Sequence, residues 1–169
     1  MNEVFRNKLF DELGQAKMAL EVSVIYSDRH RYRRKVFKWL IFLLSIIGAV
    51  GTFYTDKLPT IACASIAVLI AVKEFLPQIV FNDDQLSKLS DIIKFYSGYF
   101  NSLESFWFDY DDWIYLDNEK KARDKFYRIK KTEMDIDDTV NELIVNPPNR
   151  IKKKATKNTS KYFSKTFNV

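Results

Sequence analysis

The chain has 169 residues, 47% of them hydrophobic and 29% charged, with a formal net charge of +5; that is length for one compact domain and not two. One histidine, one cysteine and only four glycines exclude a zinc site or a disulfide within the chain and leave no glycine-rich phosphate loop. The slightly negative mean hydropathy resembles that of a soluble protein, but the apolar residues are concentrated in one region.

From Glu3 to Lys35 the sequence reads as one long helix. Phe5, Leu9, Leu13, Ala16, Leu20 and Val24 recur at steps of three and four with no proline between them. Gly14 costs about 1 kcal/mol of helix propensity without ending the pattern. Arg29, Arg31, Arg33, Arg34, Lys35 and Lys38 then crowd the approach to two uncharged runs, Trp39 to Thr55 and Leu58 to Val72, with Asp56 and Lys57 between them.

A spanning helix needs about 20 largely apolar residues. The first run reaches that length once Val36 and Phe37 are added past a snorkelling Lys38. The second continues through Phe75, Leu76, Ile79, Val80 and Phe81, with a kink at Pro77. WLIFLLSIIGAVGTFYT has no polar face, unlike a soluble amphipathic helix. The reading is therefore a two-span transmembrane hairpin in a multi-pass membrane protein. The basic entry flank places both termini in the cytoplasm. Trp39, Phe53 and Tyr54 fall where interfacial aromatics belong. The lipid bilayer is the first partner this implies.

Beyond the hairpin, Leu86, Leu89, Ile93, Tyr96, Phe100, Leu103, Trp107, Tyr110 and Ile114 alternate steps of three and four over roughly 42 Å, the seam of a coiled coil. Asp117 and Asn118 supply turn chemistry. A second helix carries Ala122, Phe126, Ile129, Ile136, Val140 and Leu143 on one face, with Glu133 at the missing position. A short turn makes the two antiparallel neighbours, ended by Asn146-Pro147-Pro148-Asn149. The fold class is all-α. Residues 1–38 read as a cytoplasmic N-terminal helix and 39–81 as the transmembrane hairpin. Residues 82–145 read as a cytoplasmic helical hairpin and 146–169 as a basic tail.

The tail holds Arg150, Lys152, Lys153, Lys154, Lys157, Lys161 and Lys165 and no acid, dotted with Tyr162, Phe163 and Phe167. Contact with anionic lipid or neutralisation of acidic helices outweighs phosphate binding on composition, but all three readings stay open. Small residues at four-residue spacing permit close helix contact in lipid. Cys63, Ala67 and Ala71 make such a row, as do Ser45 with Ala49 and Gly48 with Thr52. Ser45, Thr52, Thr60 and Ser65 are the mildly polar candidates for a pore lining. Two spans enclose no hydrated path, so conduction requires a homo-oligomer, and a tetramer is one assembly that fits.

Catalytic signals are thin. His30 sits among arginines and reads as an interfacial or interhelical polar residue rather than a general base. Cys63 reads as a small residue at a helix contact. Asp109, Asp111, Asp112 and Asp117 lack the spacing and glycine of a calcium loop and read as solvated helix faces. No enzyme, cofactor or metal is expected.

The layout resembles a known family. A long helix carrying AKMALEVSVIYSDRHRYRRK leads into two closely spaced apolar runs, and helical sequence follows through LSDIIKFYSGYFNSLESFW and FYRIKKTEMDIDDTVNELIV. This is similar to the SLATT proteins, two-transmembrane effectors associated with SMODS nucleotidyltransferases and SLOG sensors in prokaryotic conflict systems. The resemblance covers nearly the whole chain but offers no motif that maps onto a ligand site residue by residue. It implies a multimeric pore that permeabilises or depolarises a prokaryotic inner membrane in anti-phage defence, gated by a nucleotide or oligonucleotide from an associated nucleotidyltransferase. The alternatives are a non-conducting membrane anchor that holds a cytoplasmic partner through its helices, and a soluble helical bundle.

Overall fold

A computed structural model of the chain describes residues 3–51, 53–54, 57–75, 80–111 and 118–167. The fold is all-α. Its elements are α1 (Glu3–Gly51), α2 (Lys57–Phe75), α3 (Asp83–Asp111), α4 (Glu119–Lys131), a 3₁₀ turn (Thr132–Asp135), α5 (Asp137–Leu143) and α6 (Asn149–Thr166). They make two compact units, Ser27–Leu86 and a second that joins Met1–Tyr26 to Ser87–Val169.

The second unit is a helical bundle. The first half of α1 buries Phe5, Leu9, Leu13 and Ala16, as its four-residue spacing dictates. α3 opens with a reciprocal cap: the Gln85 amide donates to Asn82 Oδ1 at 2.8 Å, and the Asn82 amide to Gln85 Oε1 at 3.1 Å. Asp83 and Asp84 in its first turn suit the positive end of the helix dipole. Besides Leu89, Tyr96, Phe100, Leu103, Trp107 and Tyr110, α3 buries Ile92, Tyr99 and Phe106. That stripe is wider than the two-position seam of a coiled coil and serves a bundle with neighbours on several sides.

Contacts fix the neighbours. Phe5 meets the rings of Tyr110 and Phe126, and Arg6 lies 5.2 Å over Trp107. Further along, Tyr99 and Lys130 both reach Glu12. Ascending α1 thus matches descending α3 and ascending α4. Lys125 joins Asp109 at 2.8 Å, and Lys88 approaches Glu142 at 3.9 Å, so α3 runs antiparallel to α4 and α5.

The helix expected to continue to Leu143 is broken. α4 ends where the Thr132 hydroxyl donates to the Ile129 carbonyl at 2.7 Å, in competition with the helical ladder. The 3₁₀ turn follows at the position where the apolar pattern lapses to Glu133, and α5 then buries Leu143. Asn146 takes a left-handed φ of 43°, which asparagine tolerates, at the turn into Pro147 and Pro148.

The segment read as a basic tail folds as α6. Ile151, Ala155 and Phe163 are its buried face. Phe163 and Phe167 pack on the Phe10 ring at 5.2 and 5.9 Å, and Asn158 donates to Glu21 at 2.8 Å.

The two-span expectation is overturned. Among the described residues no helix is long and apolar enough to cross a membrane. Uncharged sequence in α1 begins after Lys38 and the helix ends at Gly51, roughly 20 Å of rise against about 30 Å of hydrocarbon. In α2 the stretch from Leu58 to Val72 rises about 23 Å. Residues 76–79, which the expected second span needed, lie outside the described residues. The placement as a multi-pass inner-membrane protein with both termini cytoplasmic falls with it.

Candidate functional site

The Ser27–Leu86 unit holds the least usual surface of the molecule. α1 and α2 form a hairpin whose close approach depends on glycine. A Cβ added at Gly48 would lie 3.2 Å from the Ala62 Cβ, and one at Gly51 only 2.7 Å from the Leu58 Cβ. Gly51 and Ala62 are buried there. The connecting turn is tied by the Phe53 amide to the Val50 carbonyl at 3.1 Å and the Tyr54 amide to the Gly51 carbonyl at 3.0 Å.

Most large side chains turned away from that seam are apolar and exposed. On α1 these residues are Trp39 (60%), Leu40, Phe42 (54%), Leu43, Ile46, Ile47 and Val50; on α2 they are Ile61, Val68 (62%) and Ile70. Phe53 and Tyr54 stand out at the turn. Such a contiguous apolar surface marks a contact with lipid or another molecule.

At its base lies a basic collar. Arg31, Lys35 and Lys38 are exposed, and Arg29, Arg33 and Arg34 half-buried. Arg34 forms a two-point bond with Asp83, its Nη2 donating to Oδ2 at 2.8 Å and Nη1 to Oδ1. This pairing raises the Arg34 pKa, the hydrogen bond to Asp83 contributing most. His30 is buried and stacks on Phe81 with ring centroids 3.8 Å apart. Burial, then the charges of Arg33 and Arg29, lower its pKa to about 4, so the imidazole is neutral at pH 7.

The pore-lining candidates divide. Ser45 is exposed on α1, but its hydroxyl donates to the Ile41 carbonyl at 2.8 Å, a bond internal to the helix. Ala49, Thr60, Cys63, Ala67 and Ala71 are exposed and Ser65 is half-buried. Thr52 lies outside the described residues. The hairpin's own seam uses Gly48 and Ala62 rather than the row of Cys63, Ala67 and Ala71. Asp109 pairs with Lys125; Asp112 and Asp117 lie outside the described residues. Among the described residues no group of three acidic, histidine or cysteine side chains is placed to hold a metal.

All seven cations of the basic C-terminal segment, Arg150, Lys152, Lys153, Lys154, Lys157, Lys161 and Lys165, are exposed on α6. The bonds from α6 to acidic residues of the bundle come from Asn158, to Glu21, and Tyr162, to Glu104. Sequence reasoning missed the Asn82–Gln85 cap and the Arg34–Asp83 pair beside it. The N-x-x-Q spacing signalled the cap; the pair joins residues 49 apart and had no local signal.

No family model, curated protein or solved structure matches the chain.

Proposed function

We propose that the chain is a membrane-surface anchor, whose apolar hairpin enters the interfacial layer of a bilayer from one side without crossing it and whose bundle holds a partner there. The observation that carries this is the exposed apolar surface of α1 and α2 directly above a collar of cations. Burying a large apolar side chain is worth about 1.5–3 kcal/mol. A cation near an anionic lipid surface adds about 1 kcal/mol. Trp39, next to the collar, is the residue type that settles at headgroup level. The Ser45 hydroxyl, satisfied within its own helix, carries no penalty into lipid. Side-by-side hairpins from two copies would set their collars against each other, which favours lipid as the covering medium.

Co-sedimentation of the full chain with vesicles tests the reading. Binding to phosphatidylserine-rich vesicles, weaker on zwitterionic ones, is expected. Trp39→Ser with Phe42→Ser and Ile46→Ser abolishes it. Equal recovery of both proteins with the vesicles would refute the anchor.

A second reading rests on the exposed row of Cys63, Ala67 and Ala71, which the hairpin itself leaves unused. Copies that associate through small residues while seated in lipid would disturb the bilayer, the effector activity that the SLATT resemblance implies. A nucleotide or oligonucleotide trigger belongs to this reading and is supported by the resemblance alone. Release of a trapped dye from vesicles separates the two: the anchor leaves vesicles sealed, the effector empties them.

A further inference from the structure

The observation concerns α6 and is independent of the hairpin. Its apolar residues Ile151, Ala155 and Phe163 are committed to the bundle, so its outward face is purely polar. On that face Arg150, Lys154, Lys157, Lys161 and Lys165 follow at steps of four, three, four and four, which keeps them within a stripe about 80° wide and about 22 Å long. All five are exposed, and the bundle's Glu21 and Glu104 are already engaged by Asn158 and Tyr162. Among the described residues, the bonds from α6 to acidic side chains are therefore made by these two neutral donors and not by the five cations, and Glu21 has its counter-charge in Lys17 at 3.2 Å.

We infer that the outward face of α6 is a sequence-independent binding surface for the phosphate backbone of a nucleic acid. A rigid row of cations is sufficient for such binding, because neutralised phosphates release condensed counterions and no base contact is required. A duplex carries one charge per about 1.7 Å of axis, dense enough for each cation of the row to find a phosphate. A helix that docks on lipid uses an apolar face for insertion, and the apolar face of α6 lies inside the bundle. That distinction favours a polyphosphate chain over a membrane.

The experiment is titration of a fluorescent random-sequence DNA duplex with the full chain, followed by anisotropy at several salt concentrations. About five phosphate contacts predict a slope of log affinity against log salt of about −4 to −5. Replacing Lys154, Lys157, Lys161 and Lys165 by alanine should weaken binding more than tenfold at low salt and flatten the slope to about −1. Replacing Lys120, Lys121, Arg128 and Lys131 of α4 removes the same charge and should leave both nearly unchanged. Circular dichroism and unfolding midpoints matching the unsubstituted chain show that both variants fold. Equal loss in the two variants, absence of duplex binding, or displacement of the duplex by a mononucleotide at equal phosphate concentration would each overturn the inference. Loss of anionic-vesicle binding in the α6 variant, with duplex binding retained, would reassign the surface to lipid. The hairpin anchor stands or falls separately, on the Trp39, Phe42 and Ile46 variant.

Discussion

Gly48 and Ala62 approach so closely that a methyl group on the glycine would sit 3.2 Å from the alanine's own, and Gly51 against Leu58 is tighter still at 2.7 Å. Overpacking of a well-fitted contact costs typically 1–3 kcal/mol. Gly51→Ala should therefore loosen the hairpin, and Gly48→Ala should do so less. Hydrogen exchange of the α2 amides, compared with those of α3, measures this. Faster exchange in α2 is the expected outcome for Gly51→Ala, with α3 unaffected.

Glu12 is buried in the bundle between two donors, the Tyr99 hydroxyl at 2.9 Å and the Lys130 ammonium. Burial, then the bond to Glu12, raises the Tyr99 pKa, so the phenol stays a donor through the physiological range. In Glu12→Ala, the half-exposed Lys130 turns to water, while Tyr99 is left without its acceptor. The expected cost is about 1–3 kcal/mol. A double-mutant cycle with Tyr99→Phe should return a coupling of about 0.5–3 kcal/mol, read from urea unfolding midpoints.

His30 gives the Ser27–Leu86 unit a pH dependence of definite sign. Its pKa falls from 6.5 when unfolded to about 4 in the fold. Between those values the unfolded chain binds the proton and the folded chain does not, so stability rises with pH. The contribution is complete above about 6.5 and is lost as pH falls towards 4, up to about 3 kcal/mol in all. His30→Phe, which keeps a ring against Phe81, should flatten that window. Denaturation midpoints at pH 4.5 and pH 7 check it.

The bundle and the hairpin surface should respond oppositely to truncation. Phe106 is fully buried, and Phe106→Ala should cost about 3–5 kcal/mol. Trp39 is 60% exposed, and Trp39→Ala should leave stability within about 0.5 kcal/mol while weakening vesicle binding. Thermal unfolding alongside vesicle co-sedimentation measures both.

Periodicity made the bundle core legible where one face faces inward: Phe5, Leu9, Leu13 and Ala16 on α1, and Leu89, Leu103 and Trp107 on α3, are buried where their spacing puts them. It was silent on Glu12, whose burial depends on partners 87 and 118 residues away. α6 was concealed by its charge. Ile151, Ala155 and Phe163 carry the helical spacing, but a dense run of lysines reads first as a solvated tail. The apolar runs on either side of Asp56 and Lys57 were visible at once, yet counting apolar letters overstated their reach. Lys38 and the end of α1 at Gly51 limit the uncharged part of that helix to less than a bilayer's thickness.

The central claim, that the apolar hairpin enters lipid, has a direct probe. Cys63 is the only cysteine of the chain and is exposed on α2, so an environment-sensitive fluorophore attaches there with no substitution. On addition of phosphatidylserine-rich vesicles the label should brighten and shift to shorter wavelength. Lipids brominated near the headgroup should quench it, and an aqueous quencher should no longer reach it. A label that stays fully accessible to the aqueous quencher, and blind to bromine at every depth, would contradict the account.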